Sequence, residues 1–429
     1  MNNLIIPRIE EVIYHEKLEN GLDVFLLPRK EVEKTFAIFS TRYGSVDQQF
    51  TPIGKDEPIR VPDGIAHFLE HKMFEKEDGD VFQKFSERGA SANAFTSFTQ
   101  TAYLFSSTTG ELENVKTLLD FVQDPYFTEQ TVEKEKGIIE QEIKMYDDQA
   151  DWRLFFGIIG ALYEKHPVRI DIAGTVESIY QITHHDLYTC YETFYHPSNM
   201  DLFVIGNFDR DEMLNLIKEN QSQKQFKSPE EIKRFFHEES DKVNKKHDKL
   251  YMPVSQPKCM VGIKEKKDQL NSEVLLKNEL VRDMILDLYF SKSGQYYQEL
   301  YEQGLLVDKL RLELYLDTSF GFTAIGGNTT KPEQFSEKVI DMLLKIKHEE
   351  ISEEAFNRAK KKKYGELIRE FNDLEGTANT FIHYHQLNVD YRDVFQELEN
   401  LSIDDLKNTV KEWIDEERIA VFMILPEDE

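Results

Sequence analysis

The sequence predicts a mixed α+β fold that occurs twice along the chain. Segments with the two-residue period of strands and the 3.6-residue period of helices intermingle, without the regular alternation of a parallel α/β fold. A charge-dense stretch from about Asn220 to Lys249 then divides the chain. On each side of it stand strands and long helical patterns of their own, and 429 residues leave room for two large units.

The first strand signal is VIYHEKLENGLDVFLLP, two alternating runs around Asn20-Gly21, a good hairpin turn pair. Two helical patterns, PDGIAHFLEHKMFE and TVEKEKGIIEQEIKMYDD, follow in the first half. QSQKQFKSPEEIKRFFHEESDKVNKKHDK reads as an inter-half linker with some helical character. The second half opens on a strand in PVSQPKCMVGIKEK and continues through a helix near Leu275 to Phe290, a strand-like FGFTAIGG, and helices up to about Phe381.

Composition narrows the function. Lys plus Arg total 52 against 80 Asp plus Glu, a formal charge of −28 that repels phosphate backbones and anionic membrane surfaces. Nucleic acid and membrane are therefore not expected partners. With 40% hydrophobic and 31% charged residues the chain is a folded protein rather than a disordered one. No apolar run approaches the roughly 20 residues that span a bilayer, and the start lacks a basic leader region, so a cytoplasmic protein is expected. Cys190 and Cys259 are too few for a disulfide framework and read as buried reduced thiols.

The chemistry concentrates in PDGIAHFLEHKMFE, where His67, Glu70 and His71 form H-x-x-E-H. At about 100° per residue these side chains share an arc, with Ile65, Phe68, Leu69 and Met73 opposite and Asp63 placed as N-cap. Two neutral imidazoles one turn apart chelate zinc, while a neighbouring carboxylate facing the open coordination position can take a proton from bound water. Such a pattern also decorates ordinary surface helices, so a second signal matters.

TVEKEKGIIEQEIKMYDD supplies one. Val132, Ile138, Ile139, Ile143 and Tyr146 are expected to share a helix face, with Glu135 and Glu142 projecting from its middle two turns apart. Glu133, Lys136, Glu140 and Lys144 are expected on the solvent side. A carboxylate set in an apolar face is costly unless it is paired or binds a cation. The pair could instead snorkel or neutralise a buried base. As metal chemistry, Glu142 is the oxygen ligand that completes a His₂Glu zinc site and Glu135 a hydrogen-bond or proton-relay partner.

Other features remain bland. His184-His185, and His383 with His385, do not share a helix face and read as ordinary imidazoles. Lys360 to Lys363 is a solvated face. No G-x-S-x-G elbow or Cys/His nucleophile signature appears.

AHFLEHKMF resembles the inverted zinc motif of the pitrilysin, insulin-degrading enzyme and mitochondrial processing peptidase family, and KEKGIIEQE resembles its downstream segment with paired acids. GASANAFTSFTQTAYLF is similar to the family's edge strand, and HPVRIDIAGTVESI and FYHPSNMDLFVIGNFD also look familial. The resemblance is closest to bacterial short, two-part members. It implies two homologous α+β halves, each a mixed sheet packed with helices, enclosing a chamber: a zinc-bearing half over 1–220, a linker over 221–247 and a non-catalytic half over 248–429.

Carried over residue by residue, the resemblance implies Zn²⁺ as cofactor, with His67, His71 and Glu142 as ligands, Glu70 as general base and Glu135 as supporting acid. Asn93, Ala94 and Thr96 would meet the substrate backbone. The implied activity is a zinc metalloendopeptidase acting on peptides; the rivals are a non-catalytic substrate-binding or scaffold subunit and a zinc hydrolase of another substrate. In SKSGQYYQELYEQGLLVDKL, Tyr301 and Val307 stand where the family has an Arg and a Tyr that grip the substrate. Tyr301 lacks a cationic fork and Val307 a hydroxyl. A homologous partner subunit without the zinc motif is therefore expected to supply them.

Overall fold

The computed structural model describes residues 2–6, 9–77 and 79–427. They form two compact units that interleave in sequence: the first comprises 1–144, 170–236 and 369–386, the second 145–169, 237–368 and 387–429. Among the described residues no helix is long and apolar enough to cross a membrane. Both cysteines are free and buried.

The first unit is built on a seven-stranded sheet. Its strands are β1 (Asn2–Ile6), β2 (Glu11–Lys17), β3 (Asp23–Pro28), β4 (Thr35–Thr41), β5 (Ser91–Thr96), β6 (Thr101–Ser107) and β7 (Met200–Gly206). They lie in the order β1-β2-β3-β7-β4-β6-β5, antiparallel except for the β3/β7 pair. The β2–β3 hairpin turns at Gly21, whose φ of 93° is the left-handed value that favours glycine, and Leu18 N–H bonds to the Leu22 carbonyl at 2.9 Å. β4 and β7 are buried along their whole length, as expected of central strands covered on both faces. β5 lies at one margin of the sheet, paired along one side with β6.

Helix α1 (Ile65–Met73) carries H-x-x-E-H and packs beside β5. Asp63 is not its N-cap. Gly64 holds that position with φ 86° and no side-chain cap, and the Asp63 carboxylate instead accepts from Arg60 at 3.0 Å. Crowding explains the glycine: a Cβ there would lie 2.3 Å from the Ala173 carbonyl oxygen. Every residue of the helix but His71 is buried.

Helix α2 (Glu129–Asp147) buries Val132, Ile139 and Ile143, whereas Ile138 stays 49% exposed. Lys136, expected in solvent, is buried; its ammonium donates to the Tyr180 carbonyl at 3.1 Å and pairs with Glu133 at 2.5 Å. The long aliphatic stem goes inward while the charge finds oxygen partners.

Residues 223–246 contain no helix, so the helical character expected of the linker is absent there. Arg234 bridges to Phe50, its guanidinium meeting Asp47 at 2.7 Å.

The second unit repeats the topology of the first. Strands β8 (His247–Met252), β9 (Lys258–Lys264), β10 (Arg311–Leu316), β11 (Gly321–Asn328) and β12 (Ile419–Pro426) lie in the order β8-β12-β9-β11-β10, antiparallel except for the β8/β12 pair. That is the arrangement of β3-β7-β4-β6-β5, with β10 in the place of β5. Each sheet is covered by a helix from the other side of the linker in sequence. Helix α3 (Ala150–Leu162) packs on β12 and β9, and helix α4 (Leu374–Gln386) on β7 and β4. At the first site Gly157 lies so close to the Phe422 ring that a Cβ would fall 2.2 Å from it; at the second, Phe381 meets Phe25 at 4.9 Å and Phe203 at 5.1 Å between ring centroids. The α+β class and the internal repeat expected from the sequence are thus present.

Candidate metal centre

α1 and α2 bring the two sequence signals together. His67 Nε2 lies 3.7 Å from one oxygen of Glu142 and His71 Nε2 3.4 Å from the other. One potential ligand atom from each of His67, His71 and Glu142 falls within 4.8 Å of the other two. Tetrahedral zinc with bonds of about 2.0–2.1 Å holds neighbouring donors roughly 3.3 Å apart, so the donor set fits that ion in type and in scale. The imidazole rings stand 4.6 Å apart at 66° and do not stack face to face.

Glu135, two turns before Glu142 on α2, reaches the opposite nitrogen of His71: Oε1 is 3.2 Å from Nδ1. A proton on Nδ1 leaves Nε2 as the lone-pair nitrogen facing Glu142. Glu70 lies on the same side of α1 and accepts a hydrogen bond from Thr96 Oγ1 at 2.6 Å. Asn93 and Ala94 lie on β5, where the Asn93 side chain accepts from the Ala94 N–H at 2.9 Å. All of these residues belong to the first unit.

Burial and charge set contrasting proton affinities. Burial, reinforced by His71, pushes His67 down to about 4. Burial also disfavours charge on His71, but the carboxylates of Glu135 and Glu142 outweigh it and hold His71 up to about 10. Burial raises Glu70 above the usual carboxylate range, against the opposing Thr96 hydrogen bond. A carboxylate that binds protons more readily than usual is suited to general-base work near neutrality.

An open recess of about 610 Å³ adjoins the group and is lined by Glu70, His71, Phe74, Phe82, Ala94 and Glu135, among others. A larger one, about 910 Å³, lies beside residues 16–20 and 218–229. Two lysines lining it, Lys17 and Lys218, are paired with Asp23 and Glu16, and it holds no imidazole, so the chemistry lies with the smaller recess. Tyr301 and Val307 lie in the second unit and are exposed.

A second His/Asp group escaped the sequence reading. His385, treated there as ordinary, has Nε2 3.2 Å from Asp201, with Asp23 alongside on the neighbouring strand. Lys17, Arg42 and His15 already face these carboxylates, so the group is a charge-balanced seat for α4. No spacing signal joins residues so distant in sequence.

Residues 60–176 match the profile of the Insulinase (Peptidase family M16) family, and residues 181–363 that of the Peptidase M16 inactive domain. YmfH of Bacillus subtilis (strain 168), named as an uncharacterized zinc protease, is 51% identical over 98% of this chain and 98% of its own length. The chain belongs to peptidase family M16. A chain described as an M16-like peptidase, from Alicyclobacillus acidocaldarius, superposes with a TM-score of 0.93 at 39% identity, covering 97% of this M16 chain and 99% of that one. Pitrilysin shares the fold at 17% identity and a TM-score of 0.73, all of this chain matching 47% of that one. The profile that contains the site is the first of the two, and the second bears the inactive-domain name.

Proposed function

We propose that this M16 protein is a zinc-dependent endopeptidase whose working residues all lie in the first unit. The observation that carries the reading is the convergence of His67, His71 and Glu142 within 4.8 Å, with Glu70 on the same helix one residue before His71. Its relative YmfH is named a zinc protease, which supports zinc over another metal.

Held by His67, His71 and Glu142, a zinc ion would supply Lewis acidity toward a water molecule and a peptide carbonyl. Glu70 receives the water's proton on its carboxylate and returns it to the departing amine. Glu135 keeps the His71 ring in the tautomer and orientation that present Nε2. Asn93, Ala94 and Thr96, on the edge strand, align an extended peptide by backbone pairing, the Asn93 side chain giving up the Ala94 N–H to the substrate.

A homologous partner subunit that lacks the zinc motif completes the enzyme in this reading. Tyr301 lacks the cationic fork and Val307 the hydroxyl that would steady charge on the reacting carbonyl, donors typically worth about 3 kcal/mol, or about a hundredfold in rate. Two free buried thiols suit a reducing, cytoplasmic setting. The test is peptide hydrolysis by the zinc-loaded chain alone and after mixing with a homologous M16 chain lacking H-x-x-E-H. Hydrolysis that rises about a hundredfold on mixing supports both parts; full activity alone, unchanged on mixing, removes the partner and leaves the peptidase; no hydrolysis in either case leaves the scaffold-subunit reading.

A further inference from the structure

Thr96 has a second relationship that backbone pairing does not use. Its hydroxyl points inward from β5 to Oε2 of Glu70 at 2.6 Å, the one hydrogen bond that Glu70 takes from the described residues. An ionised carboxylate only accepts, so the proton in this bond belongs to Thr96. The neighbouring hydroxyl of Thr101 lies 3.4 Å from Thr96, but its own proton goes to the buried Tyr43 carbonyl at 2.8 Å. With both protons so assigned none is left for the 3.4 Å contact, and the Thr96 hydroxyl is directed by its bond to Glu70.

Among the described residues the Glu70 carboxylate takes no second side-chain hydrogen bond. A glutamate has three side-chain torsions, and a backbone position on α1 does not by itself decide where the carboxylate points. The helix is fixed by burial and by its crowded N-terminus at Gly64, whereas the tip of Glu70 is fixed by a residue of another element. Thr96 is also the last residue of β5, directly opposite Thr101 in the register and anchored through it to the sheet. A threonine hydroxyl there ties the tip of a flexible side chain to a rigid strand.

We infer that Thr96 is a positioning residue for Glu70: it holds one carboxylate oxygen so that the other is presented toward the reacting water, and contact with the substrate is not its main role. This rests on the peptidase reading, in which Glu70 is the base. A shift of about 1 Å in a catalytic group is enough to lose two orders of magnitude in rate. The strand that aligns the peptide and the base that activates water are then held to each other by one hydrogen bond, so both keep a common geometry.

The test uses the full zinc-loaded chain, with its partner subunit if one is required. Thr96→Val keeps the shape and removes the hydroxyl; kcat is expected to fall about ten- to a hundredfold, with KM within about twofold and zinc content unchanged. Thr96→Ser restores the hydroxyl and should recover most of kcat. In a Glu70→Gln background Thr96→Val should cost little more, because two residues acting through one group are not additive. A wild-type kcat in Thr96→Val, a rise in KM in place of the fall in kcat, or full additivity with Glu70→Gln would overturn the inference. A crystal structure of Thr96→Val supplies a readout independent of turnover. The Glu70 carboxylate is expected to leave its wild-type direction; an unmoved carboxylate overturns the inference even if the wild-type protein hydrolyses no peptide, a result that would count separately against the peptidase reading.

Discussion

His71 Nδ1 lies 3.2 Å from Glu135 Oε1, so the ring nitrogen that remains for a cation is Nε2, which faces Glu142. In the proposed site the two glutamates of α2 therefore have different tasks despite their common face. Glu135→Gln should weaken zinc binding or activity about ten- to a hundredfold, whereas Glu142→Gln should remove most of the metal. Competition with a chelating dye measures both. The reverse order would mean that the ligand and its supporting acid have been exchanged.

His71→Ala and His67→Ala each remove one of two imidazole ligands and should leave the purified chain with almost no zinc, against about one per chain in the wild type. Metal analysis decides this without reference to any substrate. An undiminished content in His71→Ala would defeat the ligand assignment.

Gly64 tests how α1 is seated. Its φ is 86°, and an added Cβ would stand only 2.3 Å from the Ala173 carbonyl oxygen, which leaves no room for alanine. Gly64→Ala should lower stability by about 1–3 kcal/mol, and it should weaken zinc binding because the helix start must shift. Urea unfolding of the metal-free protein and a zinc titration check the two parts; wild-type values in both would show that the helix start is not a constraint.

The pH dependence has a source outside the metal centre. Burial pushes His166 down to about 4, and its Nδ1 accepts from the Val168 N–H at 3.1 Å, an arrangement of the neutral ring. An unfolded histidine titrates near 6.5, so between about 6.5 and 4 the unfolded chain binds a proton that the folded chain refuses. This part of the stability is present above about 6.5 and lost as pH falls toward about 4, at up to about 1.4 kcal/mol per pH unit. His166→Asn keeps a hydrogen-bond acceptor near Nδ1 and cannot be protonated, so the metal-free variant should show a shallower loss over that window. Identical slopes for the two proteins would show that His166 does not contribute.

The extent to which the sequence announced this structure follows from the range of each interaction. H-x-x-E-H and the Glu135/Glu142 spacing are local, and helical periodicity alone brings each set onto one side of its helix. The hairpin at Asn20-Gly21 and the strand at 321–328 are local in the same way. What the sequence left hidden depends on distant partners: the Tyr180 carbonyl that draws Lys136 inward, the Ala173 carbonyl that makes Gly64 the helix start in place of Asp63, and the placing of α3 and α4 on sheets from the other side of the linker. Thr96 belongs with these, since its hydrogen bond to Glu70 spans 26 residues and no periodicity predicts it.

Peptide hydrolysis by this chain is proposed to require both a zinc ion on the His₂Glu set and the Glu70 carboxylate. The most direct measurement is the peptide cleavage rate of wild-type chain and Glu70→Gln, with the homologous partner present, before zinc chelation, after it, and after one equivalent of zinc is returned. The wild type is expected to lose its activity on chelation and regain it with one equivalent, while Glu70→Gln binds the same equivalent and stays at least about a hundredfold slower. Cleavage that survives chelation, or a zinc-loaded Glu70→Gln as fast as the wild type, would contradict it.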